Sequence, residues 1–253
     1  MTIFSCEREW DAMLTCIYEA WSSRKGQQNI RLVLEPIEQY TLFDEYIHIE
    51  PDHIKAQKVM DAVYHKISPY VYREISFCSL AYEPDILDNI YRILLLGFAY
   101  GSNVLNMVQY EAVMRNRQIR VRLGKEVEHF KEFIRFHDVG NGRYVAHIEP
   151  KSKLLLALGH GFMDRMPSEH WMIVDDVHCE AIIHPKDEEF FYRKLTQEEV
   201  DRLLLTENAN DGFTDMWKIF FDSIAIEQRE NYRCQRNLFP IWTRKHAVEF
   251  NMN

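Results

Sequence analysis

Apolar residues recur along this chain with two different periods, and the changes of period outline the elements. Trp10, Met13, Leu14, Ile17, Tyr18 and Trp21 fall at helical spacing, so an amphipathic helix is predicted there, after a short strand over residues 2–6. Ser22-Ser-Arg-Lys-Gly26 breaks it, residues 29–35 read as extended, and Tyr46-Ile-His-Ile-Glu50 alternates like a strand ahead of Pro51. A helical array follows over residues 53–67, 69–82, 84–100 and 103–117, with Asp, Ser or Pro at the starts and Gly101 at a stop.

Near Gly124 the character changes. Residues 133–138 and 143–149 alternate on either side of Val139-Gly-Asn-Gly142, a hairpin signal. A helix over 153–165, short strands over 171–174 and 179–184, and a helix opened by Thr196 with Glu199 three residues on complete the middle of this half. A last long helix places Phe213, Trp217, Phe220, Phe221 and Ile224 on one face. The predicted class is α+β: a mainly helical N-terminal region, 1–124, then a mixed domain, 125–253, with a small antiparallel sheet and a long C-terminal helix. The aromatic stripes in the first and last helices are expected in the core. No internal repeat is visible.

Charge sharpens this picture. The 253 residues carry a net charge of −9, which argues against a uniformly basic nucleic-acid glove. The distribution is bipolar: residues 115–125 contain Arg115, Arg117, Arg120, Arg122 and Lys125 with no acid, while Glu188, Glu189, Glu198, Glu199 and Asp201 dominate a later stretch. The most apolar run, residues 90–99, is far shorter than the roughly 20 residues that span a bilayer. With no basic leader at the N-terminus, a cytoplasmic protein without membrane contact is expected. Cys6, Cys16, Cys78, Cys179 and Cys234 are widely scattered, so reduced thiols are expected, and no CxxxCxxC triplet is present to hold a radical-enzyme cluster.

Three groups of residues carry candidate chemistry. Arg229-Glu-Asn-Tyr-Arg-Cys-Gln-Arg236, followed by Arg244, Lys245 and His246, offers Arg229, Arg233 and Arg236 as phosphate forks and Asn231 and Gln235 as amide readers. The alternative is structural, with Arg229 paired to an acid and Asn231 capping a helix. Arg115, Arg117, Arg120 and Arg122 alternate with Ile119, Val121 and Leu123, so they would meet phosphate or answer the protein's own acids. His160, Arg165 and Asp175 form a candidate catalytic or substrate-orienting trio, for which a buried hydrogen-bond network is the competing explanation.

Eight of the eleven histidines follow Gly124, yet no HExxH or HxH motif occurs, so neither a metal site nor a cofactor is expected. Asp138 followed by Glu149-Pro-Lys151 imitates a magnesium-nuclease spacing, but Pro150 stands where an apolar strand residue belongs. P-loop, GxGxxG and GxSxG motifs are absent.

Val127-Glu-His-Phe-Lys-Glu-Phe-Ile-Arg-Phe136, Tyr144-Val-Ala-His-Ile-Glu-Pro150, His160-Gly-Phe-Met-Asp-Arg165, Trp171-Met-Ile-Val-Asp175 and residues 220–231 occur in this order. As a set they resemble a bacterial family of DNA-metabolism or DNA-repair proteins with no established activity. The likeness is strongest over residues 125–250 and looser before them. Members are encoded beside a radical S-adenosylmethionine protein, and their C-terminal domain is also fused to uracil-DNA-glycosylase-type domains. Glu132 replaces a small residue, often glycine, of the family pattern, and His178 replaces a common arginine. The glycosylase's own water-activating and His-Pro-Ser motifs are missing here. The resemblance implies a radical S-adenosylmethionine protein as partner, with DNA and a glycosylase-type protein as further ones. The expected function is that of an accessory protein in DNA repair or DNA metabolism, binding nucleic acid or that partner. The alternatives are an enzyme acting on a damaged base or nucleotide and a purely protein-binding scaffold.

Overall fold

The computed structural model describes residues 1–37, 39–207, 216–217, 219–220, 223 and 231–247. The protein is α+β and divides into two compact units, Met1–Leu123 and Gly124–Asn253.

In the first unit, β1 (Thr2–Cys6) is buried along its whole length and forms the centre of a parallel sheet. β2 (Ile30–Leu34) pairs on one side, from Thr2 opposite Ile30 to Cys6 opposite Leu34, and β3 (Glu45–His48) pairs on the other. α1 (Trp10–Ser22) makes the crossover and buries Met13, Leu14, Ile17 and Ala20. The region expected to be mainly helical therefore contains a parallel sheet of its own. The helices that follow start at side-chain caps: Asp52 accepts from the amides of Ile54 and Lys55 ahead of α2 (His53–Lys66), and Ser68 from that of Tyr70 ahead of α3 (Pro69–Cys78). α4 (Ile86–Tyr100) supplies much of the core through Ile86, Leu87, Ile90, Ile93 and Leu94.

α5 (Glu111–Phe133) corrects the predicted break near Arg117, for it is one helix of 23 residues. Val113, Ile119, Leu123, Val127 and Phe130 are buried at spacings of three, four and six, so the arginine-rich stretch follows a helical period and not the period of two.

In the second unit, β4 (His137–Asp138) and β5 (Arg143–Ile148) form the hairpin, with Gly140, Asn141 and Gly142 all at positive φ. β6 (His170–Asp175) lies parallel to β5, joined through α6 (Leu155–Arg165), while β7 (Glu180–His184) and β8 (Phe191–Lys194) add antiparallel. The sheet, ordered β4-β5-β6-β7-β8, is thus mixed where an antiparallel one was expected. A helical crossover returns the chain to the same end of the sheet, and that makes the next strand parallel.

The capping box of α7 (Gln197–Glu207) is present: the Thr196 amide donates to Glu199 and the Glu199 amide to the Thr196 hydroxyl. α8 (Tyr232–Leu238) is short. Of the apolar face expected for a long last helix, Phe213, Phe221 and Ile224 lie outside the described residues. Trp217 and Phe220 are exposed, as is Trp21 in the first stripe, so those three are not core. All five cysteines are free, and no described helix is long and apolar enough to cross a membrane.

Candidate functional site

Two carboxylates meet because two parallel strands end together. Ile148 stands opposite Asp175 in the β5–β6 ladder, so the next residues, Glu149 and Asp176, emerge side by side, and the Asp176 amide still donates to the Ile148 carbonyl at 3.0 Å. Carboxyl ends of adjacent parallel strands are where ligands gather in α/β units.

Imidazoles frame Asp176. His147, wholly buried on β5, donates from Nδ1 to Asp176 Oδ1 at 2.8 Å. His246 places Nε2 at 3.4 Å from Asp176 Oδ2, and its ring stacks on that of His147 with centroids 5.8 Å apart. The neighbouring Lys245 pairs with Glu149.

The segment carrying His246 is tied down by aromatic packing and hydrogen bonds. Phe239 stacks on Phe133 of α5 at 4.1 Å, and Arg244 returns Nε and Nη2 to the Phe239 carbonyl. His129 bonds the Thr243 hydroxyl at 2.8 Å, and burial pushes its imidazole pKa below the ordinary value. A cavity of about 20 Å³ lies here, with His129, His147, Glu149, Trp242, Lys245 and His246 among its walls. On the rim Trp242 is 41% exposed, and the Lys151 ammonium stands 4.9 Å from the centre of its ring. A carboxylate between two imidazoles, beside a second carboxylate with its lysine, can relay protons or offer mixed nitrogen and oxygen ligands.

The trio His160, Arg165 and Asp175 is not brought together. His160 is exposed on α6 and meets Phe190 edge-on, and Arg165 is exposed where that helix ends ahead of β6. Asp175 lies at the far end of β6, about 17 Å along the strand from its first residue. It is fully buried and accepts from His178 Nδ1 at 2.7 Å and from the amides of Val177 and His178, closing the β6–β7 turn. Burial raises its pKa, with His178 opposing the shift. Of the competing explanations, Asp175 fits a structural bond network, though without the other two residues.

Most of the candidate arginines on α5 answer the protein's own acids. Arg115 grips Asp85 with two bonds of 2.6 Å, Arg120 reaches Glu74 at 3.3 Å while stacking on Phe77, and Arg122 lies 3.4 Å from the buried Glu83. Arg117 is exposed, with no ion pair among the described residues. In the C-terminal segment, Asn231 caps α8 by accepting from the Cys234 amide, Arg233 and Arg236 are exposed, and Gln235 is half-buried. Arg229 lies outside the described residues.

The nuclease-like spacing does not close either. Asp138 pairs with Tyr144 at the start of β5 and accepts from the Gly140 amide, whereas Glu149 follows the strand's other end. A larger cavity of about 670 Å³ in the first unit, lined by Asp85, Asp88, Asn89, Arg92, Glu111 and Arg115 among others, has most of its charges paired with one another: Asp85 with Arg115, Asp88 with Arg92.

A family described as a domain of unknown function, DUF4130, matches residues 84–249. No curated protein matches the chain. The matched span begins before α4 and takes in Glu149, Asp176 and His246.

Proposed function

The chain belongs to the DUF4130 family, and on that premise we propose that it serves DNA repair or DNA metabolism by acting on a damaged base or nucleotide at the Glu149–Asp176–His246 cluster. It does so in the cytoplasm, alongside a radical S-adenosylmethionine protein. The DNA context and that partner rest on the sequence resemblance, whose glycosylase-type fusions add a second kind of partner handling damaged bases.

One observation carries the placement of the chemistry. Glu149, Asp176, His147 and His246 converge beside a half-exposed Trp242 that stacks with Lys151. An aromatic face next to a cation is a sequence-tolerant platform for an unstacked base and its phosphate, and acid–base groups behind it are what base or nucleotide chemistry requires. This favours an acting site over a purely binding role. Arg115, Arg120 and Arg122 of α5 would have to give up their own carboxylates to clamp phosphate, whereas Arg233 and Arg236 on α8, like Arg117, are exposed and suit docking of nucleic acid or the partner.

Fluorescence anisotropy with a single-stranded oligonucleotide tests this reading. Trp242→Ala should weaken binding by about 1–3 kcal/mol, the worth of one stacked base. Equal affinity of wild type and Trp242→Ala would remove the platform from the account.

A further inference from the structure

The geometry points to a binding site for one first-row divalent cation, of the Mn²⁺ or Zn²⁺ class, held by Glu149, Asp176 and His246. One ligand atom from each residue lies within 4.8 Å of the others. Ligand atoms about 2.1 Å from a tetrahedral ion stand about 3.4 Å apart, so the set closes by drawing in by up to about 1.4 Å, a movement shared between the side chains.

Two further observations point to a cation. Asp176 has a side chain only 6% exposed, and while Oδ1 accepts a hydrogen bond from His147, Oδ2 accepts none and has only the His246 Nε2, itself a proposed ligand, 3.4 Å away. A buried acceptor left in that state is destabilising, and a bound ion would offset the loss. The adjoining cavity of about 20 Å³, walled in part by two of the three ligands, Glu149 and His246, has the room of a single water and gives solvent or an ion access to the cluster from that side.

The donor set decides the class. An imidazole beside two carboxylates favours first-row ions over Mg²⁺ and Ca²⁺, which prefer oxygen throughout. Three protein ligands leave a coordination position open, and His147 orients the Asp176 carboxylate from behind. Lys245, paired with Glu149, competes with the ion for that carboxylate.

This inference deepens the proposed function by equipping the same cluster with a metal, but its test needs no nucleic acid. The full chain, stripped with EDTA, is titrated calorimetrically with ZnCl₂ and MnCl₂, and Mn²⁺ binding is read independently by electron paramagnetic resonance. One ion per chain is expected, with binding lost in Glu149→Gln and His246→Ala and weakened about 10–100-fold in His147→Phe. Lys245→Gln should tighten binding. Because the Glu149 side chain is 29% exposed, Glu149→Gln keeps its fold and decides the matter even where a buried variant unfolds. Absence of binding to the wild type, or unchanged affinity in Glu149→Gln, overturns the site and leaves an ion-pair network closed by His246 and Lys245. Stoichiometric metal binding by a chain inert toward nucleic acid would support the metal site and overturn the proposed function. Full turnover by the EDTA-stripped chain, with no metal taken up, would do the reverse.

Discussion

His147 and Asp176 form a buried hydrogen-bonded pair, Nδ1 to Oδ1 at 2.8 Å, that joins the interior of β5 to the first residue beyond β6. Replacing His147 by Phe keeps the volume and removes the donor, leaving the Asp176 oxygen buried and unsatisfied. The expected loss is about 1–3 kcal/mol in urea unfolding of the second unit. Adding Asp176→Leu to the same chain should restore part of it, because removing both partners is nearly neutral. A double variant as unstable as the single one would show that the pair does not govern local stability.

Gly159 on α6 is a packing position. A Cβ built there would stand 2.7 Å from Cζ of Phe190 and within 3.0 Å of two more ring atoms, so the loop ahead of β8 closes on the helix through this glycine. Gly159→Ala should destabilise by about 1–3 kcal/mol despite the better helix propensity of alanine. A thermal melt showing equal or greater stability would contradict this close approach.

Asp85 and Arg115 give the first unit an acid-sensitive contact. The guanidinium hydrogen-bonds the carboxylate and holds its pKa below the ordinary value, outweighing partial burial. A depressed carboxylate contributes stability that is fully present above the unfolded value, near pH 4, and is lost as pH falls through the folded one. Arg115→Ala should therefore cost about 1 kcal/mol at neutral pH, solvent screening at this half-exposed pair limiting the figure, and progressively less below pH about 4. A cost independent of pH would assign it to packing alone.

The α5 arginines and the Trp242 rim make opposite predictions for nucleic-acid binding. Since Arg115, Arg120 and Arg122 are paired with Asp85, Glu74 and Glu83, changing Arg120 and Arg122 to Gln should leave the salt dependence of binding unaltered. Lys151→Gln should reduce the slope of log affinity against log salt by about 1. A slope that falls with the α5 arginines would return the interface to that helix.

Local signals were legible where one segment settles its own structure. The hairpin at Val139-Gly-Asn-Gly142, the cap at Asp52 and the box at Thr196 and Glu199 all form, because each needs only its neighbours. The continuation of α5 was hidden by Arg120 and Arg122, whose interleaving with Val121 and Leu123 mimics a strand until Ile119, Leu123 and Val127 are seen on one helical stripe. The cluster itself was hidden for a different reason. Glu149, Asp176 and His246 come from three distant segments, and only the parallel β5–β6 register sets the two carboxylates abreast. Asp175, the last residue of β6, is legible as a candidate, whereas Asp176 follows it in the turn, where no strand pattern marks it. The one local signal was a histidine and a carboxylate two apart, His147 and Glu149, on the strand predicted over residues 143–149 ahead of Pro150.

The most direct test of the central claim is product analysis by mass spectrometry after the full chain and its radical S-adenosylmethionine partner meet oligonucleotides carrying damaged bases. Wild type should release a modified base or nucleotide, and Asp176→Asn, of nearly equal size, should be slower by about 100-fold or more, the usual contribution of a positioned acid–base group. Product formed by Asp176→Asn at the wild-type rate would contradict the account.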